Sequence, residues 1–194
     1  MKLVAVSQGV DIFSKLNERR DTLNHRLVMW LLSCGYMTVP VPNYLGVTIR
    51  DWLMKLKPTA LVLSGGSDIG KCVERDDTEL ALLSYAKEYS LPALGVCRGM
   101  QMMAHHAGTK LKLVSGHVRT RHQVKGKITA EVNSYHNYSL SSCPIDFEVI
   151  ACSEDGEIEA IRHSLMPWEG WMWHPERETV FAQVDNQRLK TLFK

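Results

Sequence analysis

The chain has 194 residues, of which 45% are hydrophobic and 23% are charged, a composition typical of one globular domain. Its formal net charge of +2 is too small to indicate a partner such as nucleic acid or a membrane surface. No apolar run approaches the roughly 20 residues that span a bilayer, and the N-terminus becomes polar too early for a signal peptide. We therefore expect one domain over residues 1–194, a small-molecule ligand, and a monomer or homodimer.

The cysteines are odd in number and include no CxxC pair, a pattern that favours neither a disulfide framework nor a zinc site. They are Cys34, Cys72, Cys97, Cys143 and Cys152. We expect a cytoplasmic protein, because a reducing compartment keeps thiols free, and one of them can then act as a nucleophile.

The first half of the chain alternates apolar strands with segments of helical period. Strands are predicted over residues 3–7, 37–41, 60–63 and 91–96. Helices are predicted over residues 17–33, 47–56, 76–89 and 98–107. Because these strands are apolar on both faces, we predict an α/β fold whose central sheet is mostly parallel and flanked by helices.

The second half of the chain contains shorter strands joined by polar turns, which predicts a smaller antiparallel region. These strands are expected at residues 111–114, 127–132, 147–152, 158–162 and 170–173. A final helix is expected from residue 186. The segment 117–127 concentrates positive charge, and it fits either a solvated hairpin or a rim that attracts an anionic substrate.

A cysteine between two glycines lies where the fourth predicted strand meets its helix. The segment Gly95-Val-Cys97-Arg-Gly99 has the pattern of a nucleophile elbow, with a strand before it and a helix after it. Glycines suit so sharp a turn because side chains there would collide with neighbouring backbone. The turn places the sulfur at a helix N-terminus, whose positive potential favours the thiolate. We predict that Cys97 is a nucleophile; the alternative is a buried thiol beside a tight turn.

The segment Trp171-Met-Trp-His174-Pro-Glu176 provides the best candidate for a proton shuttle among the eight histidines. His174 ends an aromatic strand, which the following proline prevents from continuing. Since residues two apart on an extended chain point the same way, Glu176 can fix the tautomer of His174. The alternative is a surface turn with a chance ion pair.

These motifs resemble the class I glutamine amidotransferases and their γ-glutamyl hydrolase relatives, in order and spacing over nearly the whole chain. The resemblance rests on GVCRGMQ at residues 95–101, on HPE at residues 174–176, and on the glycines of SGGSD at residues 64–68. It implies a flavodoxin-like sheet of the class I glutamine amidotransferase type.

Two finer resemblances concern the kind of reaction. CRGMQ at residues 97–101, with VNSYH at residues 132–136, looks like the free-standing γ-glutamyl hydrolases. VSQ at residues 6–8 and ERRD at residues 18–21 look similar to γ-glutamyl-CDP-amidate hydrolases of bacterial capsule phosphoramidate pathways. The resemblance therefore implies hydrolysis of a γ-glutamyl amide bond.

The resemblance also implies roles for individual residues. Cys97 is then the nucleophile, His174 the general acid and base, and Glu176 the group that orients it. The implied oxyanion hole is formed by backbone N–H groups of Gly65, Gly66 and Arg98. The implied contacts to the glutamyl group come from Gln101, His136, Asn137 and Tyr138, although relatives often have His and Gln at the last two positions.

Arg19 and Arg20 follow the first predicted strand and are expected to open a helix near the active site. Arginines in the first turn of a helix are slightly unfavourable because of the helix dipole. A pair placed there despite this cost is a candidate for binding substrate phosphate. The alternative is that the two arginines are ordinary exposed residues of the first turn. Together with Arg119 and Arg121, they lead us to expect a substrate that carries phosphate near the scissile bond.

No histidine spacing fits a recognised metal site, including that of His105, His106, His117 and His122, so we expect neither a metal nor an organic cofactor. The expected reaction is cysteine-dependent hydrolysis through a thioester. The main alternative is a glutaminase subunit that delivers ammonia to a separate synthase. A non-catalytic binding module is a third alternative, although it would have no reason to keep the three catalytic residue types together.

Overall fold

The computed structural model describes all residues from Met1 to Lys194. In chain order the strands are β1 (Lys2–Ser7), β2 (Gly9–Phe13), β3 (Glu18–Thr22), β4 (Tyr36–Val41), β5 (Ala60–Leu63), β6 (Ala93–Val96), β7 (Leu111–Leu113), β8 (Val118–Gly126), β9 (Ala130–Tyr135), β10 (Tyr138–Leu140), β11 (Phe147–Ser153), β12 (Ile158–His163) and β13 (Trp168–Trp171). The α-helices are α1 (His25–Ser33), α2 (Ile49–Leu56), α3 (Val73–Glu88), α4 (Arg98–His106) and α5 (Gln183–Leu192). None of these helices combines the length and the apolar character needed to cross a membrane.

Nine strands form one sheet in the order β4-β1-β5-β6-β13-β12-β11-β8-β9. The strands from β4 to β13 in this order pair in parallel, and the remaining pairs are antiparallel. The predicted fold class is therefore confirmed: a mostly parallel core flanked by helices, followed by an antiparallel region. The antiparallel strands extend the same sheet, because β13 pairs with β6 on one edge and with β12 on the other.

The core lies on both faces of this sheet, as strands that are apolar on both sides require. Alternate residues of β1 face opposite layers: Val4 and Val6 belong to a cluster of 27 buried residues, and Ala5 belongs to a second cluster of 14. Helix α1 contributes Trp30 to the larger cluster, and helix α3 contributes Leu82 to the smaller one. This double burial holds the carboxyl ends of the parallel strands rigidly along one edge of the sheet.

The predicted helix over residues 17–33 is wrong in its first half, because residues 9–22 form the hairpin β2–β3. The helix begins only at His25, where the side chain of Asn24 accepts a hydrogen bond from the N–H of Arg26 at 2.9 Å. Asparagine is a preferred residue at this capping position. The apolar period that suggested a helix belongs to the residues after Asn24, whereas the preceding polar segment pairs with β2 instead.

Two strands of the second half differ from the prediction. The expected strand at 127–132 spans the turn between β8 and β9, and the charged segment expected as a hairpin or rim is largely β8, paired with β9 and β11. Only one residue of β8, Val124, is buried, so its pattern did not indicate a sheet strand. The expected strand at 170–173 lies two residues earlier, as β13.

Candidate functional site

Cys97 lies between β6 and α4 in a strained conformation, with φ 50° and ψ −104°. Its N–H donates to the carbonyl oxygen of Trp171 at 2.7 Å, which fixes the turn to the neighbouring strand. A Cβ at Gly95 would overlap the backbone of Gly99, and a Cβ at Gly99 would overlap the carbonyl oxygen of Leu63. The two glycines are therefore required by close backbone approach, as in a nucleophile elbow, and the side chain of Cys97 itself is buried.

His174 and Glu176 are both buried, and His174 Nδ1 lies 2.6 Å from Glu176 Oε1. The prediction that they meet along an extended chain is wrong in its geometry: the strand ends at Trp171, and the carboxylate reaches the ring through the 3-10 helix Pro175–Arg177. The proline starts this helix with a fixed φ, so the chain turns immediately after His174.

The imidazole of His174 is electrostatically coupled to Cys97. Burial lowers the pKa of His174, but the Cys97 thiolate and the Glu176 carboxylate outweigh it and raise the pKa from its usual value of 6.5 to about 9. The charge of Cys97 is the largest of the contributions that raise this pKa. At neutral pH the ring therefore carries a proton.

Asn133 fixes the backbone at His174, and sequence reasoning missed it. Its Oδ1 accepts from the N–H of His174 at 3.0 Å, and its Nδ2 donates to the carbonyl oxygen of His174 at 2.8 Å. The same Nδ2 donates to Glu178 at 2.7 Å. The residue lies within VNSYH at 132–136, so that motif contained the signal that could have identified it.

The glycine turn after β5 lies against the predicted acid–base residue. A Cβ at Gly65 would lie 2.6 Å from Cε1 of His174, so the two groups are in contact. Gly66 has φ +148°, and a Cβ there would overlap the guanidinium of Arg75. The N–H groups of both glycines make no backbone hydrogen bond. They are therefore available to a bound carbonyl, in keeping with the predicted oxyanion hole.

A buried ionic network, the arginine cluster (Arg75, Asp76, Glu79 and Arg98), lies beneath this turn. Glu79 Oε1 accepts from Arg75 Nε at 3.0 Å and from the hydroxyl of Ser7 at 2.7 Å. The guanidinium of Arg98 bonds both Glu79 and Asp76. The sequence motif implied a role only for the backbone N–H of Arg98; its side chain is nearly fully buried and balances these carboxylates.

Arg75 extends from the arginine cluster to the glycine turn. Its Nη2 donates to the carbonyl oxygens of Ser64 and Gly65, at 2.7 and 3.0 Å. Its buried Nη1 has no hydrogen-bond partner. Carbonyl oxygens held in this way point away from the other face of the turn, which leaves that face to the N–H groups.

The predicted contacts to the glutamyl group lie together on the antiparallel side. Gln101 Nε2 donates to the carbonyl oxygen of Tyr138 at 3.0 Å, and His136 Nδ1 lies 3.0 Å from the same oxygen. Asn137, exposed between them, accepts from the N–H of Val114 at 2.9 Å through its backbone. The structure therefore joins Gln101 and the 136–138 segment, and their contact with a glutamyl group stays a prediction.

His136 also belongs to a buried group that sequence reasoning did not assemble, the histidine cluster: His117, His122, His136 and Glu159. His117, His136 and Glu159 could hold a metal ion, since their ligand atoms lie within 4.8 Å of one another. They come from three separate strands or strand ends, so no local spacing could have indicated them.

A mostly polar cavity of about 270 Å³ lies between the glycine turn, the β2–β3 hairpin and the predicted acid–base pair. His174, Glu176, Arg75 and Arg177 contribute to its wall. The guanidinium of Arg177 lies 4.4 Å from the ring centroid of Tyr135, a cation–π contact that orients it. Arg75 and Arg177 are therefore the two arginines of this cavity, and neither had been predicted to contact substrate.

Arg19 and Arg20 do not open a helix; both lie on β3, so that expectation is wrong. The side chain of Arg19 pairs with Glu74, and that of Arg20 pairs with Glu18 and lies over the ring of Phe13. Neither arginine lines the cavity. The hairpin instead turns these side chains toward solvent and toward neighbouring carboxylates.

The second predicted arginine pair, on β8, is also outside the cavity wall. Arg121 pairs with Glu131 at 2.8 Å and with Glu178 at 3.0 Å, and Arg119 is exposed with φ 55°. The positive charge of this strand is thus partly neutralised by acidic neighbours. Its contribution to attracting an anion is correspondingly reduced.

The chain is similar to known proteins in sequence and in fold. It is 31% identical over 140 residues to a γ-glutamyl-CDP-amidate hydrolase of Campylobacter jejuni, covering 69% of each protein. It is 26% identical over 162 residues to one subunit of a glutamine-hydrolysing GMP synthase of Thermococcus kodakarensis, covering 78% of this chain and 82% of that protein.

A provisionally assigned GMP synthase subunit from Thermoplasma acidophilum has the same fold, with a TM-score of 0.76 at 22% identity over 100% of this chain and 92% of that one. The model of the class-I glutamine amidotransferase family matches residues 16–183, which include the elbow, the glycine turn and the histidine–glutamate pair. With that match over most of its length, the chain belongs to the class-I glutamine amidotransferase family.

Proposed function

We propose that the protein hydrolyses a γ-glutamyl amide bond through a thioester on Cys97. The observation that carries this proposal is the buried pair of His174 and Glu176, 2.6 Å apart, whose imidazole is coupled to the Cys97 thiolate. A pKa of about 9 keeps His174 protonated at neutral pH, so a proton donor for the leaving nitrogen is in place. We also infer a reducing, cytoplasmic location from the odd number of cysteines and the lack of a CxxC pair in the sequence.

In the acylation step the Cys97 thiolate forms a bond to the γ-carbonyl carbon. The carbonyl oxygen takes negative charge and is stabilised by the N–H groups of Gly66 and Arg98. His174 then gives its proton to the departing nitrogen as the carbon–nitrogen bond breaks. The products of this step are a free amine or amidate and a glutamyl thioester on Cys97.

In the deacylation step a water molecule attacks the thioester carbon. Neutral His174 takes a proton from that water, and Glu176 stabilises the imidazolium that forms. The carbon–sulfur bond breaks, glutamate leaves, and the thiolate–imidazolium pair is restored. Gln101 and the 136–138 segment hold the glutamyl group through both steps.

The test of this proposal is turnover of a panel of γ-glutamyl amides, glutamine included, by the protein alone. We expect Cys97→Ala to abolish turnover without loss of fold, and Cys143→Ala, which alters an exposed thiol, to leave it unchanged. Acid quenching during turnover should trap a glutamyl adduct on the peptide that contains Cys97. Near-normal activity of Cys97→Ala would exclude the thioester mechanism.

We further propose that the preferred leaving group carries phosphate, with γ-glutamyl-CDP-amidate as the leading candidate. Its support is the similarity to the Campylobacter hydrolase together with the cavity beside His174. Arg177 lies in its wall, and Nη1 of Arg75, also in the wall, lacks a partner. Arginine guanidinium groups match phosphate oxygens, so these two replace the predicted Arg19 and Arg20 as phosphate contacts.

This part of the proposal is tested by comparing γ-glutamyl-CDP-amidate with a neutral γ-glutamyl amide. Arg177→Ala should lower kcat/KM for the phosphorylated substrate by roughly ten- to a hundredfold more than for the neutral one, as expected for one charge-assisted hydrogen bond. Arg20→Ala is the matched control and should leave the ratio unchanged. An unchanged ratio in Arg177→Ala would overturn the phosphate contact and leave the thioester proposal intact.

A glutaminase subunit that delivers ammonia to a synthase remains the second candidate. The observation that favours it, besides similarity to GMP synthase subunits, is an apolar groove of about 690 Å³ between the segment after β4 and helix α3. Its wall includes Tyr44, Val47 and Val73, which are 87%, 98% and 62% exposed. Exposed apolar patches of this kind often mark protein–protein contacts.

The two candidates differ in what the isolated chain does. A hydrolase should turn over its γ-glutamyl substrate without help, whereas a glutaminase subunit should be weakly active until a synthase is added. Val47→Lys should leave an independent hydrolase unaffected. Turnover of glutamine that appears only with a synthase, and is lost in Val47→Lys, would favour the second candidate.

A further inference from the structure

The histidine cluster contains a buried carboxylate without hydrogen bonds. Glu159 is fully buried on β12, and neither of its carboxylate oxygens has a hydrogen-bond partner. Three imidazole nitrogens nevertheless converge on Oε1: His117 Nδ1 at 3.3 Å, His136 Nε2 at 3.3 Å and His122 Nε2 at 3.4 Å. A buried carboxylate left in this way is costly unless a cation balances it.

The spacing of these atoms matches the coordination geometry of zinc. His117 Nδ1 and His136 Nε2 are 3.3 Å apart, so these two atoms and Glu159 Oε1 form an equilateral triangle. Ligands at about 2.0–2.1 Å from a tetrahedral Zn²⁺ are separated by about 1.6 times that distance, or about 3.3–3.4 Å. The triangle therefore has the dimensions of one face of a zinc tetrahedron. Its sides of 3.3 Å are longer than strong charge-assisted hydrogen bonds, which measure about 2.7–2.9 Å.

The outer nitrogens of both histidines have the partners typical of metal ligands. His117 Nε2 lies 2.8 Å from Asp155 Oδ2, and His136 Nδ1 lies 3.0 Å from the carbonyl oxygen of Tyr138. A carboxylate or carbonyl oxygen in this position accepts a hydrogen bond from the ring N–H. This fixes the tautomer in which the other ring nitrogen directs its lone pair inward. Two lone pairs and a carboxylate oxygen then face one another, and this arrangement is repulsive until a cation lies between them.

We propose that the histidine cluster binds a Zn²⁺ ion, with His117, His136 and Glu159 as ligands and the fourth position left to water. His122 lies beside this site: its Nε2 is buried without a hydrogen-bond partner, 3.4 Å from Glu159 Oε1. Two neutral imidazoles and one carboxylate leave a charge of +1 on a zinc centre, which Asp155 balances through His117. Imidazole-rich sites favour zinc over magnesium or calcium, which prefer oxygen ligands.

The proposed site lies one hydrogen bond away from the predicted substrate contacts. It ties the ends of β8 and β9 to β12, a strand that pairs with neither of them. The carbonyl oxygen of Tyr138 is shared by His136 and by Gln101, so the ion also braces the residue predicted to hold the glutamyl group. The expectation of no metal followed from sequence spacing, whereas this site is formed by strand order.

The experiment measures zinc in the wild-type chain purified without chelator, by inductively coupled plasma mass spectrometry. We expect about one zinc per chain. Glu159→Gln should lose it, because the substitution removes the only charged ligand, and His117→Gln should bind zinc more weakly, because it removes one imidazole ligand. His105→Gln, which alters an exposed histidine on α4, is the matched control and should retain the wild-type content.

A second measurement uses the folded wild-type chain and needs no variant. Removal of zinc and addition of Co²⁺ should produce the intense visible absorption of a four-coordinate site, and Zn²⁺ should displace it. Absence of zinc together with no response to added Zn²⁺ or Co²⁺ would overturn the proposal and leave protons as the cations of the cluster. Equal zinc in wild type and folded Glu159→Gln would overturn it as well, since the ion would then lie elsewhere.

Discussion

The arginine cluster and the histidine cluster lie on opposite sides of the candidate site, and their buried carboxylates are paired in different ways. In the parallel half, two guanidinium groups face two carboxylates, and Glu79 accepts hydrogen bonds from Arg75, Arg98 and Ser7. In the antiparallel half, Glu159 has three imidazoles around it and no hydrogen bond. The charges of the first cluster are balanced within the chain, whereas we propose that the second takes up a cation.

The two clusters support the site in different ways. The arginine cluster holds the glycine turn, since Arg75 reaches from Glu79 to the carbonyl oxygens of Ser64 and Gly65. The histidine cluster supports the 136–138 segment through His136. A balanced ionic network is sensitive to loss of one partner, and an unbalanced one is sensitive to loss of its ion.

The greatest loss of stability is expected in the arginine cluster. Glu79→Ala leaves two buried guanidinium groups short of a carboxylate, so we expect it to lower the free energy of unfolding by about 3–5 kcal/mol. Glu88→Ala, at the end of the same helix, removes an exposed ion pair with Arg50 and should cost about 0–1 kcal/mol. Urea denaturation of both variants measures the difference. If both lowered the free energy of unfolding by a similarly small amount, the arginine cluster would not stabilise the fold.

The next effect concerns the histidine cluster. Chelation of zinc should lower the free energy of unfolding of the wild-type chain by about 4 kcal/mol if zinc is present at a thousand times its dissociation constant. Glu159→Gln should not respond to chelator, whereas Glu79→Ala, destabilised elsewhere, should still respond. Thermal melts with and without chelator measure this. A response of the same size in Glu159→Gln would contradict it.

A smaller effect is expected where the antiparallel half positions His174. Asn133→Ala removes both hydrogen bonds to the backbone of His174 and should lower kcat/KM by roughly ten- to a hundredfold, mainly through kcat. Gln123→Ala, on the neighbouring strand with an exposed side chain, should change neither constant. A rise in KM with unchanged kcat would mean that Asn133 acts on substrate binding instead of on His174.

The last effect is on the pH dependence of kcat/KM. It concerns the proposed pairing of Cys97 with His174, which come from the first and second halves of the chain. With the pKa of His174 at about 9, kcat/KM should stay high through neutral pH and fall as pH rises past about 9, where the acid loses its proton. The stability that His174 contributes as a cation is likewise fully present below about pH 6.5 and is lost above about pH 9.

Replacement of Glu176 tests the cause of that shift. Glu176→Gln removes one of the two negative charges beside His174, so the alkaline limb should move to lower pH. Tyr135→Phe keeps the aromatic contact with His174 and should leave the limb in place. An alkaline limb that is identical in Glu176→Gln would show that the carboxylate does not raise the pKa of the ring.

How well the structure could be predicted from sequence differs between the halves for a physical reason. Cys97 and its flanking glycines could be predicted because the elbow is local: Gly95 and Gly99 are needed by backbone within five residues and by the adjacent strand. The parallel strands are apolar on both faces, and few structures other than a sheet covered on both sides fit this pattern. By contrast, β8 has one buried residue, and residues 18–22 have none, so neither carried a clear period.

Local sequence was sufficient to predict the alternation of buried strands and helices, the tight turn at Cys97, and the closeness of His174 to Glu176. These features depend on local sterics and on apolar patterning, which act over a few residues. Three other outcomes emerged only from the folded chain: Arg177 lines the cavity, Arg19 and Arg20 do not, and three particular histidines meet Glu159. They depend on strand order and register between distant segments, and no local spacing encodes them.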